Sequence, residues 1–139
     1  MAAVRPVPTV TLAAAQRVLA AAVEHATADG LAVCAAVADP GGNLVAFVRM
    51  DGAPLLSAGI SQDKAYTVAA FNGVPTHDWH GLIRDEPALR EGIVHTPRLV
   101  VFGGGVPLLV DGALVGAVGV SGGSADQDVR VATAAALAL

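Results

Sequence analysis

Charge is scarce in this sequence. Asp, Glu, Lys and Arg together make up 14% of 139 residues, and the eight basic side chains form no cluster. With a net charge of −4 and an isoelectric point near 5.3, the chain offers neither a nucleic acid nor an anionic membrane a surface to bind. A small neutral or anionic ligand held locally is the partner left open. Aromatic residues are equally sparse, at 4%, so close packing of small side chains has to replace the interlocking of large ones. The one cysteine, Cys34, lies in an apolar run. It excludes an intrachain disulfide, fits a reducing compartment and reads as a small buried hydrophobe. The opening MAAVRPVPTV contains no long apolar segment, and no stretch is long and helical enough to span a bilayer. A cytoplasmic protein is expected.

What the sequence has in abundance is apolar surface: 54% of residues, with a mean hydropathy of +0.61. Excess apolar surface ends in subunit contacts or in a ligand pocket, so a homo-oligomer is expected. The length suits one domain. No linker, repeat or low-complexity segment divides residues 1–139.

Helical spacing runs from residue 9 to 29, where Leu12, Ala15, Leu19, Ala22, Val23 and Ala26 share a face, Thr9 is the candidate cap and Gly30 closes the end. LAVCAAVADPGGNLVAFVRMDG then reads as a hairpin turning at Asp39 to Asn43. A second helix is predicted from Ser57 to Phe71. Residues 74–98 hold three prolines and three of the four histidines, and read as an irregular connection with short helical pieces. LVVFGGGVPLLVDGALVGAVGV gives two or three strands with Asp111-Gly112 as a turn, and a last helix follows Ser124. The order α-β-β-α-(irregular)-β-β-β-α lacks regular βαβ alternation, so the fold class is α+β with an antiparallel sheet.

The glycine-rich stretch VGAVGVSGGSADQD, from Val115 to Asp128, is not a nucleotide loop. No lysine follows its glycines as a P-loop requires, and only sixteen residues, all helical, remain after Gly123, too few for a dinucleotide fold. Ser124 with Gln127 is instead a capping box, and Asp126 and Asp128 suit the positive end of the helix dipole. The Ser121, Gly122 and Gly123 amides near that helix start could also hold a ligand carboxylate.

Lys64 is the sharper signal. On the second helix it shares a face with Ile60, Thr67, Val68 and Phe71, opposite Ala58, Ala65 and Ala69. A lysine there must snorkel to water, pair with a carboxylate, or face a pocket as a carboxylate-binding or nucleophilic cation. His25 lies with Ala14, Val18 and Ala21 on a second apolar side of the first helix, which suggests a sandwiched helix; it reads as a packed histidine or as a haem ligand at a subunit contact. His77 and His80 could share a helical face as metal ligands but have no third partner, and exposed loop histidines are the simpler reading. His95 precedes Thr96-Pro97 with no recognisable partner. Ser121 lacks the G-x-S-x-G elbow of a hydrolase.

KAYTVAAF at Lys64 to Phe71, GGGVPLLVDGALVGAVGVSGG at Gly103 to Gly123, the pair Asp126 and Asp128, and ADPGGNLVAFVRMDGA at Ala38 to Ala53 together resemble the GlcG/HbpS family, which includes the C-terminal domain of PduO-type proteins. The resemblance covers nearly the whole chain; only residues 74–98, with their HDWH, depart from it. It implies a profilin-like domain with a five-stranded antiparallel sheet flanked by helices, assembled from dimers, often as octamers. It also implies haem or a related tetrapyrrole as ligand, with haem degradation in some members. Under that reading His25 or a loop histidine is the iron ligand, Arg49 or Lys64 pairs with propionates, and Thr67, Phe71 and the amides of Ser121, Gly122 and Gly123 line the cleft. The other reading is a cofactor-independent lyase or isomerase, in which Lys64 orients a carboxylate and His80, His95, Asp51 or Glu91 moves a proton. Whether the chain is an enzyme at all is left open at this point.

Overall fold

Backbone polar groups have to find partners wherever they are buried, and following them through the computed structural model, which describes residues 1–139, gives the architecture. Helix α1 spans Leu12–Ala28, β1 Cys34–Ala38, β2 Leu44–Arg49 and α2 Leu56–Ala70. A 3₁₀ turn at Thr76–Asp78 leads into two short helices, α3 Trp79–Ile83 and α4 Pro87–Ile93. Strands β3, Gly105–Val110, and β4, Ala113–Ser121, precede α5, Ala125–Ala136. The four strands form one antiparallel sheet in the order β2-β1-β4-β3.

The α+β class and the hairpin turns at residues 39–43 and at Asp111-Gly112 are as expected; the five-stranded sheet and the third late strand are not. Residues 99–101 stay outside the sheet because Thr67 of α2 ties down the backbone on both sides of Leu99. The Thr67 hydroxyl donates to the Arg98 carbonyl and accepts from the Val100 N–H, each at 3.0 Å. The first helix also starts later than Thr9. Val10 donates to the Val115 carbonyl of β4 at 2.8 Å, which holds that residue in extended backbone, and Thr11 is the cap, accepting the Ala14 N–H.

The main core lies between one face of the sheet and the pair α1 and α5. Val18, Leu19, Ala22 and Ala26 of α1 join the inward row Val33, Ala35, Val37, Val118 and Val120 in one buried cluster, which Val131, Ala132 and Ala135 of α5 complete. The other face carries almost no side chains. Ala36, Ala38 and Ala117 point to α2, and Gly105 pairs with Gly119 directly beneath it. A Cβ on Gly119 would overlap the Ser61 carbonyl oxygen and lie 2.6 Å from the Ala65 nitrogen, so the helix backbone rests on the strand backbone. The buried arc of α2 is therefore broader than one side, and takes in part of each face. Its small side, with Ser57, Ser61, Ala65 and Ala69, is buried together with Lys64, Thr67 and Val68, whereas Phe71 is exposed and Ile60 only half-buried.

The two sheet edges differ. On β3 the Gly105 N–H is taken by the Thr76 hydroxyl at 2.9 Å, and the next outward position is Pro107, which has no N–H. On β2 the Met50 N–H turns inward to the Val33 carbonyl, so alternation turns those of Phe47 and Arg49 outward. The first part of the β3 edge thus offers no free N–H, while that of β2 does.

Gly119→Ala is expected to lower unfolding stability by about 1–3 kcal/mol through overpacking. Gly59→Ala, an α2 position where an added Cβ meets nothing within 4 Å, should raise it by about 0.5–1 kcal/mol. Urea unfolding of the two variants checks the pair; equal effects would contradict the backbone-on-backbone seam.

Candidate functional site

Because α2 sits so low on the sheet, the Lys64 side chain has no route to water and is 1% exposed. Its Nζ donates to the Asp128 carboxylate at 2.9 Å and to the Val120 carbonyl at 2.8 Å, and lies 5.2 Å from the centre of the Phe102 ring. Asp128 stands in the first turn of α5, where the helix dipole favours an anion, and its second oxygen accepts the Gly123 N–H at 2.9 Å. The capping box of Ser124 and Gln127 is formed as expected. Burial pushes the Lys64 pKa below its ordinary 10.5, and the hydrogen bond and charge of Asp128 oppose that shift. The unfolded chain therefore holds this proton more tightly than the fold does, so this group's contribution to stability rises with pH between the folded pKa and 10.5.

A cavity of about 300 Å³ borders the pair, walled by Leu56, Ile60, Phe102, Ser121 and Gly122. Lys64, Ser121, Gly122 and Gly123 thus come together, although the Gly123 amide is already bonded to Asp128. An ammonium bonded to a carboxylate and a carbonyl is a clamp between α2, β4 and α5, not a free nucleophile.

The remaining candidates lie elsewhere. Thr67 is buried and occupied with Arg98 and Val100, and Phe71 packs on Trp79 with ring centres 4.7 Å apart. Arg49 is exposed at the end of β2; Asp51, His80, Glu91 and His95 are all exposed, and none borders the Lys64 cavity. His77 Nε2 lies 3.6 Å from its neighbour Asp78, and no three His, Cys, Asp or Glu side chains are grouped to hold a metal ion. His25 is not sandwiched. It is exposed in the last turn of α1, because that helix buries only the side carrying Ala15, Val18, Leu19, Ala22 and Ala26. Cys34 is buried, and burial pushes its thiol pKa up.

Asp128 is the residue that sequence reasoning misses, since its position after Ser124 assigns it to the helix dipole alone. Its signal is its register: with Val131, Ala132 and Ala135 it falls on the buried stripe of α5.

The model of the family described as haem degrading protein HbpS-like matches residues 10–137. The chain belongs to the HbpS-like family. Protein GlcG of Escherichia coli strain K12 is 42% identical over 107 residues, 77% of each chain. The solved structure of Klebsiella pneumoniae protein ORFY superposes with a TM-score of 0.90 at 35% identity, covering 99% of this chain and 95% of that one. A crystal structure of a PduOC–haem complex superposes with a TM-score of 0.86 at 32% identity, covering 94% and 95%. In this member of the HbpS-like family, no helix is long and apolar enough to cross a membrane.

Lys64→Met is expected to cost about 3–5 kcal/mol by leaving Asp128 buried and unpaired, while Lys64→Met combined with Asp128→Leu should recover most of that loss. Denaturant unfolding of the two single variants and the double variant measures the coupling, and additive effects would contradict it.

Proposed function

We propose that this protein binds haem or a closely related tetrapyrrole at an open histidine on the surface of an assembled oligomer. The observation that carries the reading is the likeness, over nearly the whole chain, to a protein solved in complex with haem. The donor set fits this form of binding. All four imidazoles are exposed, and none lines any cavity of the single chain, so a histidine ligand here meets haem at a surface.

His25 would hold the iron and Arg49 would pair with a propionate. The chain passes from the end of α1 through residues 29–33 into Cys34, which pairs with Arg49, so both residues belong to the same end of the sheet. Bound haem would supply an iron centre able to change oxidation state. The chain's own part is to offer the imidazole, balance the propionate charge and limit water. A second copy completes the last task. Leu44, Phe47, Leu55 and Leu56 are exposed apolar side chains on or near β2, and its open edge can continue the sheet into another subunit. With Pro107 and the Thr76 hydroxyl blocking the first part of the β3 edge, pairing through β2 favours a two-fold dimer over a filament.

The lyase or isomerase reading has less support, because Asp51, His80, Glu91 and His95 all lie away from the cavity beside Lys64. Haem degradation is a step beyond the binding proposed here, and would be read as loss of the Soret band under a reductant in air.

Haemin titration tests the proposal. A Soret shift that saturates at stoichiometric ligand and is weakened at least tenfold by His25→Ala is expected; weak binding indifferent to that substitution would contradict it.

A further inference from the structure

A second cavity, of about 230 Å³, opens between the C-terminal half of α2 and the segment that carries α3 and α4. Tyr66, Phe71, Trp79, Ile93, Pro97 and Leu99 line it. Three of the five aromatic side chains of an aromatic-poor sequence are therefore gathered at one place. No acid, lysine or histidine borders it, so it is equipped for binding and not for proton transfer.

Two features show how its walls are set. Arg98 is held in the left-handed region, φ 66°, a costly conformation for a residue other than glycine. It is fixed there by the Thr67 hydroxyl on its carbonyl, by Asp63 at 2.8 Å from its Nε and by the Tyr66 ring 4.1 Å beneath its guanidinium. Its flanking residues Pro97 and Leu99 both line the cavity, while its own charge is balanced by Asp63. The second feature is Trp79. It is buried and stacks on Phe71, which fixes the ring wall between α2 and α3.

We propose that this cavity is a binding site for a neutral, single-ring aromatic compound, held among the Tyr66, Phe71 and Trp79 rings. The size sets the ligand: an apolar cavity of about 150 Å³ accepts benzene, so this one accepts a ring with a short substituent and excludes a tetrapyrrole. The aromatic walls select a flat molecule. The neutralised Arg98 gives no advantage to an anion.

Trp79 is the single tryptophan, so its indole resonance in a ¹⁵N–¹H spectrum is unique. Toluene added to the folded protein should move that resonance in a saturable way, with half-saturation at millimolar concentration or below, and the anion benzoate should not. Ala70→Phe, at an exposed position of α2 that lines the cavity, should weaken binding at least tenfold. Should that variant fold poorly, nuclear Overhauser contacts from toluene to the Tyr66 and Trp79 rings in the unmodified protein serve instead. No saturable shift, an equal shift with benzoate, an unchanged shift in Ala70→Phe, or an absence of those contacts would each overturn the proposal.

Discussion

One buried ion pair sets the position of everything around the candidate site. Lys64 and Asp128 are 64 residues apart in sequence and 2.9 Å apart in the fold, and neither reaches solvent. Burying two charges is expensive, and a pair of this kind adds little net stability over an apolar replacement. Its effect is positional: α2 can sit at only one height along β4 if its ammonium is to meet both the Val120 carbonyl and the first turn of α5.

That constraint depends on the strands beneath. Gly119 and Gly105 remove the side chains that would hold α2 away, and the closeness of the helix denies Lys64 its ordinary route to water. The glycines and the ion pair are two halves of one arrangement. The sparse aromatic content follows from the same cause, since a seam of Gly and Ala leaves no space for rings. The rings are found instead at the surface and in the cavity around Trp79.

Much of the fold is legible in sequence because local rules determine it. The helix periodicities, the two hairpin turns and the Ser124 capping box depend on residues close together in the chain. The expected fifth strand fails because apolar residues at 99–101 look like a strand, while the competitor for their hydrogen bonds, Thr67, lies far away in sequence. The burial of α2 is half legible for a related reason: Lys64, Thr67 and Val68 are buried as bulky residues facing a core normally are, but the glycine floor also takes in the small residues, and Phe71 is left exposed. Lys64 stands out as anomalous in sequence and its partner does not, because any of several carboxylates could serve. His25, Arg49, Asp51, His80, Glu91 and His95 are legible as chemically able side chains, but only tertiary structure shows that they lie apart from Lys64.

Lys64 is also the only lysine in the chain, which makes its burial directly measurable. Brief acetylation of the folded protein, followed by intact mass and peptide mapping, should modify the α-amine and leave Lys64 untouched, and denaturation before acetylation should expose Lys64 to reaction. Modification of Lys64 in the folded protein at the rate of an exposed amine would contradict the clamp.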